Sequence, residues 1–358
     1  MWKSLKDRAE GVKEMKRMKT TEAVGQVLCH DITQIIPGVT KDAVFRKGHI
    51  IREEDIPVLL TVGMDSVYIW ENDETMMHEN DAAEVLYRMT ANEHMHPSDV
   101  KEGKIEVIAD TEGLLKVDRE KLKKVNAFGE MMIATRHGNT VVKKGDKLAG
   151  TRIIPLVIKK DKMQEAEKIC DGTPILKILP FTVKKAAIIT TGNEVYHGRI
   201  KDAFTPVIEQ KIAEFGAEMM FHEIFDDNDR KITDGCLRAI EAGADIVFCT
   251  GGMSVDPDDK TPLAIKNTGA EMISYGSPVL PGAMFLLSYY RKGDKVIPIC
   301  GLPGCAMYNR RTIFDLVLPR LMAADPVTAD ELASLGEGGL CLNCKVCTFP
   351  NCGFGKGW

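Results

Sequence analysis

Between residues 180 and 324, apolar runs alternate with stretches of helical period. The runs 186–191, 217–224, 246–250 and 296–300 predict strands, and the segments 202–215, 229–242, 262–267 and 306–322 predict the helices between them. Strands alternating with helices form a parallel sheet covered on both faces. This stretch is therefore expected to be a three-layer α/β domain with a mostly parallel sheet. Ahead of it the pattern changes. From residue 21 to about 170, short β-like runs are broken by Gly and Pro, with helical segments between, which predicts a β-rich α+β region. There, Glu53, Glu54 and Asp55 open a helix running to Val62, with carboxylates in the first turn where the helix dipole favours them. Gly63 ends that helix, and residues 66–70 read as a strand. The segments 45–51 and 142–148 echo each other as strand, Lys-Gly turn and strand, as a duplicated β-unit would. The expected division is a basic leader 1–20, the β-rich region 21–178, the α/β domain 179–325, and a linker with a Cys-rich tail, 326–358.

Composition narrows the class. The chain has 358 residues, 44% hydrophobic and 28% charged, enough for several globular cores. A net charge of −5 leaves no electrostatic footprint for nucleic acid or a membrane surface. No apolar run approaches the ~20 residues of a transmembrane helix, and the basic N-terminus lacks the apolar core of a signal peptide. Cys29, Cys170, Cys236, Cys249, Cys300 and Cys305 are dispersed, several in apolar runs, where a free thiol behaves as a small hydrophobe. Four more cysteines crowd the last eighteen residues. That usage suits a reducing cytoplasm with one metal site better than a secreted disulfide framework.

The candidate chemistry falls where the predicted strands end. Thr250-Gly251-Gly252 follows the strand 246–250 and leads into Asp256, Asp258 and Asp259. Adjacent glycines let a phosphate approach the backbone amides, and carboxylates beside a phosphate call for a divalent cation, Mg²⁺, between them. An acidic surface turn would share this composition. A second loop, Thr191-Gly192-Asn193-Glu194, follows the strand 186–191, and a third, Gly301-Leu302-Pro303-Gly304, follows the strand 296–300. The third stands at a predicted helix start, where amides donate to anions. A rigid turn, Pro281-Gly282, adds a fourth element. In such sheets, ligands sit outside the carboxyl ends of the strands.

Together these residues resemble the molybdopterin-binding domain family, and residues 21–324 resemble the molybdopterin molybdotransferases that contain it. The match runs through Thr191-Gly192-Asn193-Glu194, Asp202, Gly251-Gly252, Ser254, Val255, Asp259, Pro281-Gly282 and Gly301 to Gly304. In the N-terminal part it is looser, through residues 30–33 and 45–51. The resemblance implies binding of molybdopterin or its adenylylated form, with Mg²⁺ and molybdate, and a homodimer. It places Glu194, Asp202 and Asp259 near the reacting phosphate and metal. Phosphate cradles are implied at Thr191, Gly192, Gly251, Gly252, Ser254, Pro281, Gly282, Gly301, Pro303 and Gly304. The chain also departs from the family pattern. Phe204 replaces an Asn, Pro257 a Gly, Leu280 and Ala283 the flanking lysines, and Cys305-Ala306 an Asn-Pro. Each missing charged hydrogen bond is worth ~1.5–3 kcal/mol, so two absent lysines could separate a catalyst from a binder.

The tail reads Cys341-x₂-Cys344-x₂-Cys347-x₄-Cys352. Serial two-residue gaps resemble the ferredoxin run that holds a [4Fe–4S] cluster, while a tetrahedral Zn²⁺ site more often uses two separate knuckles. Disulfides or a disordered tail are the alternatives. Phe349, Pro350, Phe354 and Trp358 stand ready to shield such a site or dock it on a molybdoenzyme or maturation protein. Other clusters invite plainer readings. His78, His94, His96 and His137 read as solvated, Met219-Met220 as core filler, Lys121 to Lys124 as a solvated helix face, and Asp226-Asp227-x-Asp229 as a helix cap.

Three functions fit. The first is an enzyme that inserts molybdenum from molybdate into molybdopterin. The second is a non-catalytic carrier or redox-gated maturation chaperone. The third is a nucleotide pyrophosphatase akin to the competence-damage-type proteins that share the domain, against which the N-terminal region and the Gly-Leu-Pro-Gly loop both argue.

Overall fold

Lys185–Thr191 (β1), Glu218–Phe225 (β2), Ile246–Thr250 (β3), Glu271–Tyr275 (β4), Leu286–Lys292 (β5) and Lys295–Leu302 (β6) form a six-stranded sheet ordered β2-β1-β3-β6-β5-β4. The computed structural model describes residues 16–36, 40–69 and 73–357. The leader up to residue 15, Trp70 and Trp358 lie outside the described residues. The first three pairings are parallel and the last two antiparallel. Thr205–Ala213 (α1) and Ile313–Met322 (α4) cover one face, and Asp229–Glu241 (α2) and Thr261–Asn267 (α3) the other. Period-two alternation explains the continuous apolar runs. Ala186 and Ile188 pack with Ile208, Ile212 and Phe314, while Ala187 and Ile189 pack with Ile232, Cys236 and Ile265. The expected three-layer α/β architecture is present, with a mixed, mostly parallel sheet.

Two elements differ from expectation. The hairpin β5–β6 turns through Gly293-Asp294, since Lys292 pairs with Lys295. A Gly-Asp pair between apolar runs is a hairpin signal, and it supplies the antiparallel edge that a strand–helix alternation does not anticipate. The helix expected over 306–322 is split. Gly304–Met307 makes a single 3₁₀ turn, and the chain turns helical again only at Ile313. Thr312 and Asp315 cause the restart through a reciprocal capping box.

The β-rich region contains two cores. Ala23, Leu28, Ile32, Ile51, Leu59, Val67 and Ile69 form the first. The second is built on a four-stranded antiparallel sheet, Met95–Pro97, Lys104–Ala109, Lys147–Ile153 and Met131–Thr135 in spatial order, with the helices Glu79–Thr90, Arg119–Ala127 and Lys160–Cys170. The echoing segments 45–51 and 142–148 turn at Lys47-Gly48 and Lys144-Gly145, and their glycines donate alike, Gly48 N to Leu28 O and Gly145 N to Ala109 O, both at 2.8 Å. Residues 326–358 are more than a linker and tail. Ala329–Ser334 (α5) is capped by Thr328 and Glu331, and Leu332 and Phe354 are buried in the core of the α/β domain.

Candidate functional site

Parallel register puts Thr190 beside Thr250, and Thr250 beside Leu302. The loops that follow β1, β3 and β6 therefore leave the sheet side by side at its carboxyl edge. Their glycines are first a matter of packing. Gly251 (φ +82°) crosses the end of β1 so closely that a Cβ would collide with the Thr191 carbonyl oxygen. At Gly252 (φ +55°) a Cβ would lie 2.8 Å from Thr261 Oγ1. A Cβ on Gly301 would meet Met253 Cε at 2.5 Å, and one on Gly282 would collide with Ile313. Gly304 alone of the motif glycines has open space above it. It belongs to a single 3₁₀ turn, so the expected anion site at a helix N-terminus is not formed there. Pro281 and Gly282 instead buttress the start of α4, where Ile313 N donates to Pro281 O at 3.2 Å.

Beneath the loops lies a buried hydroxyl layer. Thr191 Oγ1 is 3.0 Å from Thr261 Oγ1 and donates to Thr250 O at 3.1 Å. Thr250 Oγ1 is buried with no hydrogen-bond partner among the described residues. Above this layer the loop 251–259 closes on itself, with Asp259 N donating to Asp256 O at 3.0 Å and Asp256 N to Asp259 Oδ2 at 3.3 Å. Tyr275 Oη pins it from β4 by donating to Met253 O at 2.9 Å. Ser254, Asp256 and Asp258 are exposed and Asp259 is half-buried.

The carboxylates are pooled from three loops. Asp227, after β2, accepts from Asn193 N at 3.1 Å. Burial pushes its carboxyl above the ordinary range, and the charges of Glu194, Asp258 and Asp259 push the same way against that hydrogen bond. Asp227 was expected only to cap a helix. Asn228 is the cap, its side chain accepting from Lys231 N, and Asp226 pairs with Lys231 at 2.8 Å. Asp227 is thus left facing the acidic loop. A carboxylate two positions before a helix start, too early to cap it, was the available signal. Among the described residues, no three acidic, His or Cys side chains converge closely enough to hold a metal ion.

Asp202 stands apart from this group. Burial works to raise its carboxyl, but hydrogen bonds from Thr205 Oγ1 (2.6 Å), Thr205 N, Thr190 Oγ1 (2.9 Å) and Phe204 N outweigh it and hold the pKa low. It accepts from the two amides that lead into α1 and ties that helix to β1. His222, which sequence inspection passed over, completes the knot with Nε2 3.2 Å from both Thr190 Oγ1 and Thr205 Oγ1. Among the other histidines, His78 is buried rather than solvated, with Nε2 2.8 Å from Cys29 O and Nδ1 accepting from Asn80 N. Met219 and Met220 pack against the two cores of the domain, as filler does. Lys121 lies against the helix Lys160–Cys170, donating to Cys170 O and Thr173 O at 3.0 Å.

Among the cavities of the described residues, two off the strand edge bear on the tail. One of about 760 Å³ runs between α4, the α+β region and the tail, and none of the strand-end loop residues lines it. The other, about 300 Å³, is lined by Cys341, Cys344, Cys347 and Cys352 together with Pro281, Arg310 and Arg311. No helix among the described residues is long and apolar enough to cross a membrane.

Residues 187–323 match the family described as "Probable molybdopterin binding domain", and residues 17–71 match one described only as a domain of unknown function. Among curated proteins, the chain is 30% identical over 129 residues to a "Putative competence-damage inducible protein" of Bacillus cereus (strain B4264), covering 36% of this chain and 30% of that one. With the protein of the same name from Bacillus subtilis (strain 168) it shares 32% over 85 residues, 24% of this chain and 20% of the relative. The chain thus spans less than a third of the length of these relatives. Among solved structures, the tungsten cofactor synthesizing protein MoaB from Pyrococcus furiosus aligns at 20% identity and TM-score 0.32, over 39% of this chain and 89% of that one. A molybdenum cofactor biosynthesis protein from Pyrococcus furiosus aligns over 88% of this chain and 66% of that one, at 12% identity and TM-score 0.25. Over residues 187–323, the α/β domain of this chain is similar to the molybdopterin-binding domain family.

Proposed function

We propose that the carboxyl edge of the sheet grips the phosphate end of molybdopterin, or of its adenylylated form, and that the chain serves molybdenum cofactor biosynthesis. One observation carries this reading. Glu194, Asp227, Asp258 and Asp259 are drawn from three loops to one edge, where burial first, and then the charges of the other three, push Asp227 up. A carboxyl held in such company favours a cation as its neighbour. The donor set suits Mg²⁺, which typically keeps several waters and takes one or two carboxylates plus substrate phosphates rather than an all-protein cage. Asp258 and Asp259 would hold it, with Glu194 and Asp227 behind them, and it would supply charge neutralisation to the phosphate oxygens.

The chain's own residues supply the rest. The Thr191–Thr250–Thr261 layer fixes the spacing between the first and second loops, so that the carboxylates stay put when a dianionic tail arrives. Asp202 acts as a positioning residue, anchoring α1 to β1 through Thr190 and Thr205. The reaction proposed is insertion of molybdenum from molybdate into the dithiolene, with release of the nucleotide.

A second reading, a carrier that binds without turnover, is favoured by the missing lysines. Leu280 is 56% exposed, so a large apolar side chain stands in solvent beside the Pro281-Gly282 turn. The family's competence-damage inducible relatives also weigh against assuming transfer chemistry. Incubation with adenylylated molybdopterin, Mg²⁺ and molybdate separates the readings. Nucleotide release that requires molybdate supports insertion, and tight binding without release supports the carrier. Hydrolysis of dinucleotides in the absence of molybdate would sink both.

A further inference from the structure

The tail cysteines are spread around a space rather than gathered at a point. Cys341, Cys344, Cys347 and Cys352 all line the same cavity of about 300 Å³. Yet no three of them lie close enough to bind one metal ion. A single tetrahedral zinc with Zn–S near 2.3 Å would draw its thiolates to roughly 3.8 Å of one another. A cubane cluster needs the reverse, four thiolates around a volume filled by several iron and sulfide atoms. We infer that this cavity is the seat of a [4Fe–4S] cluster ligated by these four cysteines.

The walls fit that occupant. A [4Fe–4S]²⁺ core with four thiolates carries net negative charge, and two arginines line the cavity. Arg311 lines the cavity together with Cys347 and stands 4.8 Å above the Phe349 ring, while its guanidinium is held by Asp315 at 2.8 Å. Arg310 donates to Lys345 O at 3.1 Å, bracing the turn between Cys344 and Cys347. Apolar cover comes from Phe349, which packs on the core, and Phe354, 5% exposed, with ring centroids 6.2 Å apart. Hydrogen bonds to the ligating sulfurs and exclusion of water are the usual protein levers on such a cluster.

The placement also joins the tail to the strand-end loops. Leu280 N donates to Gly339 O and Cys341 N donates to Leu280 O, both at 2.8 Å. The segment that enters the cluster site is thus zipped onto the residue just before Pro281-Gly282. The inference rests on the cysteines and their cavity and not on the pterin reading, so either can fail without the other.

The test uses the full chain, purified without oxygen and reconstituted with ferrous iron and sulfide. About four iron and four acid-labile sulfide per chain are expected, with a broad visible charge-transfer band. Cys344→Ala and Cys347→Ala remove exposed thiols and should abolish the band while leaving far-UV circular dichroism intact. Cys305→Ser, which lies off the cavity, should keep it. One tightly held zinc with no sulfide, or a chain that stays free of iron after reconstitution, overturns the inference. So does a band that survives in Cys344→Ala and Cys347→Ala together.

Discussion

The strand-end loops and the cysteine tail both concentrate side chains that metals favour, and they do so by opposite routes. At the strand ends, carboxylates far apart in sequence, Glu194, Asp227 and the pair Asp258 and Asp259, meet only because a parallel sheet lines its loops up along one edge. Their charges oppose one another, which adds to the burial that raises the Asp227 carboxyl. In the tail, four thiols within twelve residues line one cavity, and arginines rather than acids surround them. The first arrangement is held by topology and is short of positive charge. The second is held by local turns and already carries its cations.

The largest effect should come from the topology that assembles the first site. Gly251→Ala puts a Cβ against the Thr191 carbonyl in a left-handed backbone. Roughly 1–2 kcal/mol for the conformation and 1–3 for overpacking add to about 3 kcal/mol lost. Gly304→Ala enters open space and should stay within about 0.5 kcal/mol of wild type. Urea unfolding of the two variants checks this, and equal midpoints would mean that the loop is not wedged against β1.

Next in size is the anchor behind that site. Asp202→Ala removes the hydrogen bonds at the entry to α1 and the tie to β1, at a cost of about 1–3 kcal/mol. Because the folded carboxyl is held low, its contribution is present above the unfolded pKa and lost as pH falls through the folded value. The gap between wild type and variant should therefore close in acid. A gap that is constant with pH would deny the carboxylate its role.

How much of this was legible in sequence depends on the range of the interaction. The strands β1, β3 and β6 and helices α2 and α3 were readable, because alternation and capping are local. Asp202 could be named from the motif, though its work as an anchor could not, since Thr190 and His222 reach it only through the fold. Asp227 was hidden because its neighbours in sequence suggest a cap, and only the approach of the acidic loop gives it another part. The motif glycines were identified as positions, but their reason differs: Gly251, Gly252, Gly282 and Gly301 serve close packing of protein on protein. The break before α4 was visible in Thr312-x-x-Asp315, yet the apolar run across it looked continuous.

A smaller effect, of opposite sign to that of Asp202, is expected at Asp227. Its folded carboxyl is raised, first by burial and then by Glu194, Asp258 and Asp259, so ionisation costs stability above that raised value. Wild type should gain stability as pH falls through it, and the gain should be complete once pH is below the ordinary aspartate value of 3.8. Asp227→Asn should be more stable than wild type at neutral pH and lose that advantage in acid. Added Mg²⁺ should raise the melting temperature of wild type more than that of Asp227→Asn. Equal magnesium responses would remove Asp227 from the cation's surroundings.

The smallest effect should report whether the two regions communicate. The hydrogen bonds Leu280 N to Gly339 O and Cys341 N to Leu280 O join them through backbone alone. Loss of the cluster in Cys344→Ala removes what holds the far side of the cavity, so these two amides should exchange with solvent severalfold faster than in reconstituted wild type. Amides inside β3, such as Phe248 and Cys249, lie within the parallel sheet and should be indifferent. If exchange at Leu280 is unchanged while the visible band is gone, the tail and the strand-end site share a boundary without sharing a state. If β3 also loosens, the variant has disturbed the domain itself, and the link between the regions is broader than one backbone pairing.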